Sequence, residues 1–154
     1  MEISLLADKP EASKVIAQWY FDEWLSNVPD ITVEFIQDKV SKAGNRDKIP
    51  LTVVAHNDQE LIGVVEVKLH ENRHYPDYEH WLGGIYVKPS HRGQGISSVL
   101  IGQGIEYAAQ FGVSSLYLQC ESHNVGLYER HGFKFLHEGK HRLPVSIMML
   151  ELST

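Results

Sequence analysis

The chain has 154 residues, 43% of them hydrophobic and 22% charged, a balance that lets one domain spanning 1–154 bury a core without disulfide staples. A formal net charge of -6 excludes a broadly basic face for nucleic acid. No stretch approaches the roughly 18 unbroken apolar residues of a membrane span, so neither nucleic acid nor membrane is an expected partner. The N-terminus MEISLLADKP lacks the basic start and apolar run of a signal peptide, and Cys120, the one cysteine, has no partner for an internal disulfide. Both features suit a cytoplasmic protein.

Ile3 to Leu6 reads as a short first strand. Asp8 and Glu11 resemble a capping box with Pro10 in the first turn, and Val15, Ile16, Trp19, Tyr20 and Trp24 follow at helical spacing, ending near Val28 and Pro29. A second helix is expected from about Thr32, with Phe35, Ile36 and Val40 on one face and a stop at Gly44. The runs LTVVAH and LIGVVEVKL, separated by Asn57 and Asp58, predict an antiparallel hairpin, and a third strand runs from His80 to Val87. After the turn HRGQGIS a helix carries Ile96, Leu100, Tyr107, Ala108 and Phe111. SLYLQC is the next strand, a short helix runs from about Asn124 to His131 and stops at Gly132, and FKFLHE and VSIMMLEL are the last two strands. The order β-α-α-β-β-β-α-β-α-β-β implies an α+β fold with helices on a mostly antiparallel sheet.

The segment Arg92-Gly93-Gln94-Gly95-Ile96-Ser97 joins a strand to a helix start. A helix start exposes unpaired N–H groups and a partial positive charge, and glycines let a phosphate approach that backbone closely. Arg92 adds a permanently charged donor fork. The dinucleotide fingerprint needs a third glycine where Ser98 stands, and a Walker loop needs a lysine that is absent here. A tight surface turn and a nucleotide cradle of another kind both remain open from these residues alone.

With this turn, and with LYERHGF from Leu127 to Phe133 one strand later, the sequence resembles the GCN5-related N-acetyltransferase (GNAT) superfamily. Arg92, Gly95 and Ser97 occupy the positions of its Q/R-x-x-G-x-G/A signature, Ser97 departing from the usual Gly or Ala. The resemblance implies a central mixed sheet of about seven strands with helices on both faces. It also implies acetyl-CoA as co-substrate, with Ile85, Tyr86 and Val87 along the pantetheine arm and Arg92, Gly93, Gln94, Gly95, Ile96 and Ser97 around the diphosphate. The implied reaction is acetyl transfer to a primary amine, of a small cationic molecule or a peptide, by direct attack. The alternative is a CoA-binding regulatory module without turnover. Tyr128 matches the tyrosine that donates a proton to the leaving thiolate; packing is its plainer role. Asn124 is not equated with the family's cofactor-contacting asparagine, because the loop before it is short.

An amine must lose a proton before it can attack, so the site needs a base. The resemblance puts one on the fourth strand, at positions that here hold Gly83 and Trp81, neither of which takes a proton. Glu79 lies on the same alternating face and is the expected base, with Asp77, His80 and Glu121 as alternatives. The same carboxylates, Glu79, Asp77 and Glu121, with Asp22, Glu23, Glu34 and Asp38, beside Trp19, Trp24, Tyr75 and Tyr78, would give an acidic, aromatic acceptor mouth that favours cationic amines. Cys120 with His123 would allow a thioester relay, although a cysteine in a strand is more often a small buried apolar residue. His70 and His74 lack a completing ligand set, so no metal is expected. The locally basic stretch from His137 to Arg142 reads as a solvated hairpin rim, with the CoA 3'-phosphate as a lesser role, and a homodimer remains an open alternative.

Overall fold

The computed structural model describes residues 1–152. Strand β1 (Glu2–Leu5) precedes helices α1 (Ala12–Tyr20) and α2 (Val33–Ser41), then strands β2 (Leu51–Asn57), β3 (Glu60–Leu69) and β4 (His80–Val87). Helix α3 (Ile96–Gln110), strand β5 (Ser115–Cys120), the short helix α4 (Val125–Glu129) and strands β6 (Lys134–Gly139) and β7 (Val145–Glu151) complete the chain. The element order is the expected one. The strands make a 7-stranded sheet in the order β1-β2-β3-β4-β5-β7-β6, with β4 and β5 as its parallel pair.

Alternation along the central strands sends side chains into two cores. Val53 and Ala55 of β2 and Val65 and Val67 of β3 pack under α3, against Leu100, Ile101 and Ala108. Val54 and Val64 face the other way, onto Ile16 and Ala17 of α1 and Ile36 and Val40 of α2. Burial on both faces explains why these strands read as unbroken apolar runs rather than as alternating ones.

Three local expectations change. Asp8 does not cap α1, whose start at Ala12 carries no side-chain cap; its carboxylate instead meets Arg46 at 2.5 Å. A guanidinium offers a charge-assisted bond that a single helix N–H does not match. Phe35 stands 52% exposed while Ile36 and Val40, one turn apart, take the buried stripe; Thr32 caps that helix as expected, accepting the Phe35 N–H at 3.1 Å. Beyond Tyr20 the first helix widens into a π-type turn, Phe21–Leu25, which carries Glu23, Trp24 and Leu25 into the cleft described next.

Candidate active site

Strands β4 and β5 pair only at His80 with Leu116 and Trp81 with Tyr117. Beyond these residues they diverge, and a cleft of about 850 Å³ opens between them. On the other side β4 keeps its ladder with β3, where Lys88 N–H donates to the Ile62 carbonyl at 2.8 Å. Alternation therefore turns the Val87 N–H toward the cleft, the geometry a passing amide-rich arm requires. A bulge between Val64 and Glu66 re-aims this part of β4. It centres on Gly84, at φ 60, where a side chain would collide with Glu66 and with the Tyr20 hydroxyl. That hydroxyl lies 2.8 Å from Glu66 Oε2 and 2.7 Å from the Gly84 carbonyl, so one buried proton serves two acceptors. Burial and the adjacent Glu66 push the Tyr20 phenol well above its ordinary pKa.

The turn after β4 forms the far lip of the cleft. Gly93 and Gly95 have φ of 80 and 78, a left-handed conformation natural to glycine, and Gly95 is the residue on which α3 begins. Arg92 donates from Nε to the Val87 carbonyl at 2.8 Å, and its guanidinium lies over the Tyr86 ring, 5.2 Å from the centroid. Tyr86 stacks on Trp19 at 4.9 Å. The cation is therefore braced at the lip by the strand and by an aromatic face. Ile85, Tyr86, Val87, Arg92, Gly93, Gly95, Ile96 and Ser97 all line the cleft; Gln94 is exposed and does not. The unpaired N–H groups of the α3 start and the Arg92 fork fit a diphosphate.

Tyr128 lines the cleft from α4, its ring edge-on to Phe133 at 6.2 Å. Burial, with Cys120 and Glu71 nearby, holds its phenol pushed up to about 12, so it stays a proton donor at neutral pH. Cys120 also faces the cleft, but burial and then Glu121 push its thiol up to about 11. A thiol so held is a poor nucleophile. Glu121, His123 and Asn124 border the cleft, and Glu121 pairs with His123 at 3.4 Å.

Glu79 is not brought to the cleft. It stands just before β4, 58% exposed and 3.8 Å from His80, because its carbonyl closes the β3 to β4 ladder by accepting the His70 N–H. Of the expected acceptor mouth Glu23, Trp24 and Glu121 line the cleft. Tyr75 instead stacks on Tyr78, which stacks in turn on Tyr117, beside the buried Trp81. Among the described residues no cluster of His, Cys, Asp and Glu has metal-site geometry.

A carboxylate that the sequence reading did not place in the cleft lines it: Glu71. It lies in the β3 to β4 connection and reaches over the sheet, so that a Cβ on Gly83 would stand 2.7 Å from its Oε2. The carboxylate occupies the space that a side chain at position 83 would fill. Oε1 meets Lys68 Nζ at 3.3 Å, while Oε2 is buried with no hydrogen-bond partner. Burial alone would lower the Lys68 pKa, but Glu71 and Glu66 outweigh it and raise the value well above an ordinary lysine, so the cation persists. The one sequence signal was Gly83 itself, a vacancy at a position where a base was wanted.

The model of the acetyltransferase (GNAT) family matches residues 13–133. No curated protein matches the chain in sequence. Among solved structures, an aminoglycoside 6'-N-acetyltransferase complexed with coenzyme A is 16% identical at a TM-score of 0.77, covering 100% of this chain and 98% of that one. YncA from Salmonella typhimurium, with its cofactor acetyl-CoA, is 18% identical at 0.72, covering 100% and 95%. A GNAT-family acetyltransferase from Streptococcus pneumoniae is 19% identical at 0.73, covering 99% and 100%. At such identities these structures establish a common fold, and the family match, which spans most of the chain, goes further. With its splayed strands, glycine turn and α4 tyrosine, this chain belongs to the GNAT acetyltransferase family.

Proposed function

We propose that the protein is an N-acetyltransferase that moves the acetyl group of acetyl-CoA to a primary amine by direct attack. The observation that carries this reading is the unpartnered Oε2 of Glu71, buried in the cleft where Gly83 leaves room for it. Acetyl-CoA supplies the thioester. Arg92 and the backbone from Gly93 to Ser97 hold its diphosphate, and Ile85 to Val87 align its arm along β4. Glu71, rather than Glu79, takes a proton from the acceptor ammonium. The freed lone pair forms the new N–C bond as the C–S bond breaks. Tyr128 gives its hydroxyl proton to the departing thiolate, and the second proton, shed by the nitrogen as the amide forms, passes through water to restore the phenol. Lys68 positions Glu71 through Oε1, so that Oε2 is left for the amine.

Thiol release from acetyl-CoA with pooled primary amines tests the activity. A positioned acid or base contributes about 10² to 10⁴ in rate, so Glu71→Gln and Tyr128→Phe are each expected to lower kcat on that scale. Titration calorimetry should show acetyl-CoA affinity retained in both. Binding of acetyl-CoA without thiol release from any amine would instead mark a CoA-binding module without turnover.

A further inference from the structure

A second cavity, of about 380 Å³, adjoins the cleft and shares Glu71, His141 and Arg142 with it. Its remaining wall is His70, Asn72, Arg73 and His74. In a protein of net charge -6 this wall is cationic through its two arginines, with Glu71 as its acid and three histidines beside them. The wall is also built to stay in place. Asn72, buried in the β3 to β4 connection, donates to Gln119 Oε1 at 2.8 Å and to the Lys140 carbonyl at 2.7 Å. Its Oδ1 accepts the His74 N–H at 3.0 Å, and the Tyr75 hydroxyl accepts the Lys140 N–H at 2.9 Å. These bonds pin the connection that carries Arg73 and His74 to the β6 to β7 turn that carries His141 and Arg142. Arg142 is tied in turn to the cleft wall, donating to the Trp24 carbonyl at 3.0 Å.

The arrangement gathers cations beside one carboxylate, and His141 registers it: burial pushes its pKa down, Glu71 opposes, and Arg142, His74 and Lys68 push it down further. The diphosphate of acetyl-CoA does not account for the cavity. Its cradle follows the C-terminal end of β4, whereas this cavity borders the segment that leads into the N-terminal end.

We propose that this cavity is the anion subsite of the acceptor pocket, and that the acceptor is amino-acid-like: a primary amine bearing a carboxylate close by. The inference rests on the acetyltransferase reading above and narrows its acceptor. The ammonium lies on Glu71 at the junction of the two cavities, and the carboxylate faces Arg73 and Arg142 beyond it. An arginine fork matches a carboxylate with two parallel bonds, and a fixed pair of opposite charges selects a zwitterion over a simple cationic amine. This reverses the preference for cationic acceptors expected from the sequence, since most of the acidic groups on which that rested lie outside the cleft.

The test compares kcat/KM, by thiol release from acetyl-CoA, for the standard L-amino acids, their carboxamides and their decarboxylated amines. The turned-over amino acid should exceed its carboxamide and its decarboxylated amine by about tenfold or more, the scale of a lost charge-assisted bond. In Arg73→Gln with Arg142→Gln, the ratio of free acid to carboxamide should collapse toward one. Equal or better use of carboxamides or plain amines by the parent enzyme would overturn the subsite and leave the acetyltransferase reading standing. A ratio unchanged in the double variant would do the same. Acetyl-CoA binding with no thiol release from any of the three series would overturn both.

Discussion

Gly83 and Gly84 are neighbours whose missing side chains do different work. At Gly83 a methyl group would meet the end of a flexible side chain, the Glu71 carboxylate at 2.7 Å. Gly83→Ala should therefore fold with little loss of stability while displacing the base, so kcat falls and the thermal midpoint stays near that of the parent. At Gly84 the obstacle is fixed: φ is 60, and the added carbon would strike Glu66 and the Tyr20 hydroxyl, both held in one buried bond. Left-handed strain alone costs on the order of 1–3 kcal/mol, so Gly84→Ala should lower the midpoint measured by calorimetry. A normal midpoint for Gly84→Ala, or an unaltered kcat for Gly83→Ala, would contradict these assignments. In the sequence Gly83 was legible only as a position that lacks a base, and Gly84 read only as part of a strand.

Among the elements, the β4 to α3 connection is the one proposed to hold the cofactor. Gly95 opens α3 in a left-handed conformation with no atom near its missing side chain, so a β-branched residue there is opposed by backbone strain rather than by crowding. Gly95→Val is expected to reset the helix start and weaken acetyl-CoA binding. Arg92→Ala removes both the bond to the Val87 carbonyl and the cation at the lip, and a lost charged hydrogen bond is worth about 1.5–3 kcal/mol. Titration calorimetry should register both losses; parent-like affinity in both variants would place the diphosphate elsewhere. This connection was readable because its chemistry is local: a strand, a turn with glycines and a helix start follow one another in the chain.

Across the whole molecule the cleft is a gap in an otherwise continuous sheet. α3, with the strand-and-helix segment that follows it, forms one side, and the π-type turn after α1 and the β3 to β4 connection close over the other. A ligand that bridges these parts binds the folded state and not the unfolded chain. At a concentration of about 100 times its dissociation constant, acetyl-CoA should stabilise the protein by about 2.7 kcal/mol, read as a rise in thermal midpoint that Arg92→Ala diminishes. An unmoved midpoint at saturating acetyl-CoA would argue against the cleft as its site.

By itself the sequence determined the element order, the β2 to β3 hairpin, the glycine turn between β4 and α3 and the tyrosine of α4. Each of these depends on hydrophobic period, on turn chemistry or on a short motif, all carried by residues near one another in the chain. Only the tertiary structure decided what faces the cleft. Glu79 was expected there by alternation along β4, but alternation ends where the strand ends, and Glu79 lies just before it. Glu71 enters from an irregular connection, across the sheet to a glycine, by a path that no periodicity describes. The cationic cavity likewise joins Arg73 and His74 to His141 and Arg142 through hydrogen bonds of the buried Asn72, one of them spanning 68 positions of the chain. Charges that distant become neighbours only when the sheet forms, so their shared field is a property of the fold.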